Sequence, residues 1–147
     1  MPKILLATDG SDYSLQSLKK FIPMAKAMDA DLTVLTVVEE MPFLKSSDGM
    51  TEKEAKNLLA SVNKEAEQGL QKARKLFEEV GLRNETKMAS GKPGDTICRE
   101  IEEGDYDLVV VGDSGLGGIT ELFLGSVSNK VAHCAKTDVL ILKRLKG

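Results

Sequence analysis

Two hydrophobic periods alternate along this chain, and that alternation restricts the possible folds more than any other feature. Ile4 to Ala7 and Leu108 to Val111 are short continuous apolar runs with the form of strands buried on both faces, and Val139 to Leu142 is a further apolar run of strand length. Asp31 to Val38 is β-branched and apolar and reads the same way. Between these runs the spacing becomes helical. Apolar residues fall at 15, 18, 22 and 25 after a candidate cap at Ser11 or Asp12, with Pro23 expected as a kink inside one helix. Thr51-Glu52-Lys53-Glu54 is a capping box opening a long helix with apolar positions from 55 to 80, and Gly81 is its natural stop. Glu39 to Met50 reads as a loop. Asn84 to Ser90 is a polar strand suited to a sheet edge, and Asp95 caps a short helix bearing Ile97, Cys98 and Ile101. Asp107 to Val111 is a fourth strand, Ser126 to Ala135 a last helix with Val127, Val131 and Cys134 inward, and Thr137 to Leu142 a fifth strand.

Strands alternating with helices require crossover connections. The expectation is one α/β domain over residues 1–147, with a doubly wound, mostly parallel, Rossmann-like five-stranded sheet and helices on both faces. A chain of this length buries roughly 70% of its unfolded surface.

Composition then excludes classes of function. Lys plus Arg number 20 against 23 Asp plus Glu, a net charge of −3, so sequence-independent nucleic-acid binding by phosphate neutralisation is not expected. No apolar run exceeds four residues, far short of the roughly 20 a membrane helix needs. The Met1-Pro2-Lys3-Ile4 start enters a strand-like run directly, without the features of a signal peptide, so a cytoplasmic location is expected. Cys98 and Cys134 are isolated and are expected as buried reduced thiols rather than a disulfide or metal site. His133 is the single histidine, so any Ser-His-Asp scheme would run through it; its position on the last helix predicts a partly exposed surface residue.

In open α/β sheets, ligands bind beyond the carboxyl ends of the strands where the winding reverses. Thr8-Asp9-Gly10-Ser11 follows the first strand. Gly112-Asp113-Ser114-Gly115-Leu116-Gly117-Gly118 follows the fourth, and Gly125-Ser126-Val127-Ser128 opens the last helix. Glycines let backbone N–H groups approach an anion, a helix start adds unpaired donors, and Ser126 and Ser128 add hydroxyls. The pattern fits a phosphate cradle; the alternative is a set of turn glycines with Ser126 as a simple cap. There is no G-x-x-x-x-G-K-S/T, so the chain is not a P-loop NTPase, and the glycines follow the wrong strand for a dinucleotide fingerprint.

These residues resemble the universal stress proteins, whose ATP-binding branch carries G-x2-G-x9-G-S/T. Gly112, Gly115 and Gly125-Ser126 match that spacing in full. The resemblance extends to the opening Ile4 to Ser11, the strand Leu35 to Val38, the turn Gly91 to Gly94 and the ending Val139 to Leu142. It implies strand order 3-2-1-4-5 and a nucleotide between the ends of strands 1 and 4. By the same resemblance, Ala7, Thr8, Asp9 and Val37 border adenine and ribose. Val111, Gly112 and Gly115 line the ribose and phosphate side, and Gly125, Ser126, Val127 and Ser128 hold the phosphates. The chain departs from the family at Asp113-Ser114, where a small hydroxyl residue and then His or Arg are usual; Asp9 or Asp113 could hold Mg²⁺ through water.

The function expected is an ATP-binding regulatory or stress-response protein, with AMP or ADP as other possible occupants. The alternatives are a slow Mg-dependent ATPase, with no assigned catalytic residue, and a nucleotide-free interaction module. In the order 3-2-1-4-5, strand 5 is an apolar edge, so a homodimer joined partly through Val139, Leu140, Ile141 and Leu142 is expected.

Overall fold

The structure, a computed structural model, describes residues 1–39, 49–112 and 125–143. Its elements are β1 (Lys3–Ala7), α1 (Asp12–Ala27), β2 (Asp31–Val38), α2 (Glu52–Glu79), β3 (Arg83–Ser90), α3 (Pro93–Glu103), β4 (Leu108–Gly112), α4 (Ser126–Cys134) and β5 (Asp138–Leu142). The sheet has five strands in the order β3-β2-β1-β4-β5, and every pairing is parallel, as expected.

The continuous apolar runs of β1 and β4 are explained by burial on both faces, whereas that of the edge strand β5 is only half-buried from Val139 to Ile141. Ile4 and Leu6 point toward α1 and α2, where they meet Leu18, Phe21, Ala25, Leu70, Ala73 and Phe77. Leu5 points the other way with Val109 and Val111, toward Ile97 of α3 and Val131 of α4. β3 pairs only with β2 among the described strands, and its residues are exposed or half-buried, which suits its polar sequence.

Local signals place the helix ends. Ser11 caps α1, its side chain accepting from Ser14 N at 3.1 Å, and Thr51 caps α2 by accepting from Glu54 N at 3.1 Å. The helix α1 runs through Pro23, which is exposed, so water can satisfy the carbonyl its ring leaves unpaired. One cap differs from expectation. The helix α3 starts at Pro93 with Lys92 as N-cap, and Asp95 lies inside its first turn. Proline's fixed φ and missing N–H suit the first helical position, so the helix begins earlier than an Asp95 cap would allow.

The cysteines also differ from expectation. Cys98 and Cys134 are half-buried rather than buried, and they are joined as a disulfide, with Cα atoms 6.0 Å apart. The physical reason is tertiary: α3 and α4 pack side by side on one face of the sheet, bringing together two positions separated by 36 residues.

At the amino end of the sheet, Tyr106 Oη donates to Glu100 Oε1 at 2.7 Å and Lys87 Nζ reaches the same oxygen at 2.9 Å. Burial alone would raise the Glu100 carboxyl, but the hydrogen bonds from Tyr106 and Lys87 outweigh it and hold the group below its ordinary value. Lys87 is raised in turn, chiefly by its bond to Glu100. Burial, reinforced by Glu100, pushes the Tyr106 hydroxyl up.

The helix α2 braces the loop after β1 by unusually close backbone contact. A Cβ at Gly69 would lie 2.7 Å from Gly10 Cα, and Gly10 itself has φ +79°, where only glycine is unstrained. Gly69→Val is therefore expected to cost about 1–3 kcal/mol despite valine's better fit to most buried positions. Chemical denaturation measures it, and a midpoint equal to the parent's contradicts the contact. A second expectation concerns Glu100. Its folded-state value lies below the unfolded one, so its contribution is complete above the unfolded value and is lost as pH falls through the folded one. The raised value of Lys87 acts at the other end: its share is lost as pH rises through that value. Glu100→Gln should melt about 2–5 °C below the parent near neutral pH. That gap should close as pH falls below the carboxylate range, as read by thermal melts across pH.

Candidate functional site

The winding reverses at β1. The chain proceeds from β1 to β2 and β3 on one side, then returns to place β4 against the other side of β1. The crossovers diverge there, leaving a cleft over the carboxyl ends of β1 and β4. The cleft has a volume of about 200 Å³. The strand ends Ala7, Leu35, Val37 and Val111 give it an apolar floor, and Ile97 and Val127 add apolar walls from α3 and α4.

The polar rim is built by the loop after β1. The backbone of Thr8 is fixed by Thr8 N donating to Leu35 O at 3.0 Å and by Thr36 Oγ1 donating to Thr8 O at 3.0 Å. Thr8 Oγ1 accepts from Gly10 N at 3.1 Å and is hydrogen-bonded to Ser14 Oγ. Asp9 is exposed at the mouth; its Oδ1 accepts from Ser11 N at 2.9 Å and from Ser11 Oγ at 2.6 Å. Ser11 in turn caps α1, so the Asp9 carboxylate is held in place by the same residue that starts the helix.

The other rim is the start of α4. Gly125 is its N-cap, with φ −63° and ψ 162°, and among the described residues no side chain caps the helix. The first-turn N–H groups of Ser126, Val127 and Ser128 therefore lack side-chain partners from the cap. The first turns of α1, α2 and α3 carry Asp12, Glu52 with Glu54, and Asp95; that of α4 carries no acid. Among the described residues, its positive dipole end is thus the one of these four with no acid in its own first turn. Ser128 is buried and donates its hydroxyl proton to Gly112 O, tying the first turn of α4 to the end of β4. Its oxygen lone pairs remain as acceptors, but the proton is engaged.

Most of the residues picked out from the sequence meet here. Ala7, Thr8, Asp9, Val37, Val111, Gly112, Val127 and Ser128 line the cleft. Gly125 and Ser126 immediately precede the lining residues of α4, and Ser126 is exposed. Gly115 and Asp113 lie outside the described residues. Ser14, Leu35, Pro93 and Ile97 also line the cleft and were not anticipated as site residues. Pro93 could have been suspected from its place in the Gly91 to Gly94 turn. Ile97 carries only the signal of a core position, and the sheet order is needed to place α3 over the cleft. His133 is exposed on α4, with Nδ1 donating to Asn129 O at 2.7 Å, as its expected surface role requires. Among the described residues, no group of three or more His, Cys, Asp or Glu is placed to hold a metal, and no helix is long and apolar enough to cross a membrane.

Comparison with known proteins agrees with this geometry. The model of the universal stress protein family matches residues 1–143. Universal stress protein MJ0531 of Methanocaldococcus jannaschii is 35% identical over 145 residues, covering 98% of this chain and 83% of that protein. The solved structure of hypothetical protein MJ0577 is similar with a TM-score of 0.82 at 26% identity, covering 99% of this chain and 98% of the other. A universal stress protein in complex with cAMP is similar with a TM-score of 0.66 at 28% identity, covering 97% and 96%. The chain belongs to the universal stress protein family.

Proposed function

We propose that the cleft binds an adenine nucleotide, ATP foremost, and that the protein is a nucleotide-binding regulator acting as a homodimer. The observation that carries this reading is the pairing of two unlike surfaces across one cleft. Ala7, Val37 and Val111 offer a flat apolar floor for a base. The uncapped, acid-free start of α4 offers backbone donors and positive potential for phosphates. The ligand of the cAMP-bound relative has these same two parts, an adenine and a phosphate. In this reading Thr8 and Asp9 face the ribose, and Gly125 with Ser126 meets the phosphates. Glycines 112 and 115 lie between them in the motif. Asp9 is already held in place by Ser11, so a Mg²⁺ ion carried with the phosphates would approach it through water.

Support for assembly comes from β5. Its described partner is β4 alone, and Val139, Leu140 and Ile141 are only half-buried despite their apolar character. A second copy meeting this edge would cover them.

Calorimetric titration with ATP, ADP and AMP, each with and without Mg²⁺, tests the nucleotide reading; absence of binding by all three rejects it. Gly125→Val should lower ATP affinity at least tenfold. The backbone at Gly125 is in an extended region open to any residue, so the variant should keep its far-UV spectrum. Sedimentation at micromolar concentration should show a dimer, and Ile141→Lys or Leu140→Pro should shift it toward monomer. A monomeric parent rejects the β5 interface.

A further inference from the structure

Neither cysteine of the Cys98–Cys134 bond lines the cleft, but both belong to helices that wall one side of it. Cys98 follows Ile97, a wall residue, along α3, and Cys134 ends α4, whose first turn supplies Val127 and Ser128. The cross-link therefore joins the two helices that form one side of the cleft. It also closes a covalent loop, 36 residues apart in sequence, that contains β4, Gly112 and the start of α4.

Two observations support the same fold in the cleaved form. Each sulfur has a backbone acceptor in reach: Cys98 Sγ is 4.0 Å from Lys130 O, and Cys134 Sγ is 3.7 Å from Val131 O. On reduction the two sulfurs must move apart to non-bonded distance, and these carbonyls lie close enough to accept from the freed thiols. The helices also hold together independently of the bond. Ile97, Ile101, Val127 and Val131 share one apolar cluster, and Lys130 Nζ lies 3.6 Å from Asp95 Oδ1. Both cysteines are half-buried, so a small thiol or disulfide can approach from solvent.

We propose that Cys98 and Cys134 form a reversible dithiol–disulfide site whose oxidised state stiffens the α3–α4 side of the cleft. The co-reactant is a small-molecule disulfide, RSSR. One cysteine thiolate attacks RSSR, forming a mixed disulfide and releasing RS⁻. The second thiolate attacks the protein sulfur of that mixed disulfide, forming Cys98–Cys134 and releasing the second RS⁻. The protein loses two electrons and two protons, and RSSR becomes two RSH. Reduction by a dithiol runs the same steps backward.

The effect on ligand rests on the nucleotide reading above. A wall already fixed by the bond loses less freedom when nucleotide binds, so the oxidised form should bind ATP about 3- to 10-fold more tightly. By reciprocity, saturating ATP should lower the reduction potential of the pair by the same factor, about 14–30 mV for two electrons.

The test equilibrates the full chain in mixtures of reduced and oxidised glutathione, then quenches with acid and counts alkylated thiols by mass spectrometry. The expected parent moves between two alkylated thiols and none, with no retained glutathione, and excess dithiothreitol restores both without denaturant. Cys98→Ser and Cys134→Ser should instead retain a glutathione adduct. The oxidised parent should melt roughly 5–15 °C above the reduced one, with Cys98→Ser/Cys134→Ser matching the reduced form. Two free thiols or two glutathione adducts at every ratio overturn the site. So does a bond that dithiothreitol opens only in denaturant. Equal ATP affinity in the two forms, with the thiols titrating as expected, overturns the stiffening. Absence of ATP binding in both forms while the thiols still titrate rejects the nucleotide reading and leaves the dithiol site standing.

Discussion

Burial of β1 on both faces is the constraint on which the rest of the molecule depends. Ile4, Leu5 and Leu6 have no exposed surface, and they take part in both apolar layers of the protein. A strand in that position must be paired on both edges, and β2 and β4 supply the pairing. Because β2 and β4 lie on opposite sides of β1, the chain must reverse its winding there. The reversal leaves the carboxyl end of β1 uncovered by any crossover, and the cleft is that uncovered end. The site is a by-product of the topology, refined by the residues placed around it.

The refinement works through shared residues. Ser11 caps α1 and also fixes Asp9; Thr8 both ends the strand layer and holds Gly10 and Ser14. On the other rim, Ser128 ties α4 to Gly112 O, so the donor-bearing helix start keeps a set distance from the end of β4. Each rim is anchored to the sheet by hydrogen bonds made outside any regular ladder, which lets the rims hold polar groups near an otherwise apolar floor.

Much of this was legible in the residues because the local physics agreed with the global fold. The apolar runs of β1 and β4 fit two-sided burial, the Thr51 box fits the start of α2, and the polar run in β3 fits a sheet edge. Of the residues lining the cleft, Asp9 and Gly112 were picked out by loop chemistry and by the family resemblance. What was not legible depended on packing between distant segments. Nothing near Cys98 announces Cys134, because their proximity is set by two helices lying on one face. Ile97 and Leu35 look like core residues and are core residues; they reach the cleft because the cleft's floor is the edge of that core. The start of α3 was misplaced because Asp95 has a cap's chemistry, while Pro93 two residues earlier has the stronger geometric claim.

The two edges of the sheet are chemically opposite, and this limits what the protein can build. β3 presents Arg83, Glu85 and Lys87, with Arg83 Nη2 3.6 Å from Asp29 Oδ1 and Lys87 held by Glu100. β5 presents an apolar run. A sheet that joins a second copy at one edge only has a valence of one. Any second sheet joined at β5 would leave a charged β3 on each outer flank, and neither flank could add another strand cheaply. In the proposed β5-edge pair, growth along the hydrogen-bonding direction would therefore stop at two sheets, with the charges of β3 on each outer flank opposing a further strand.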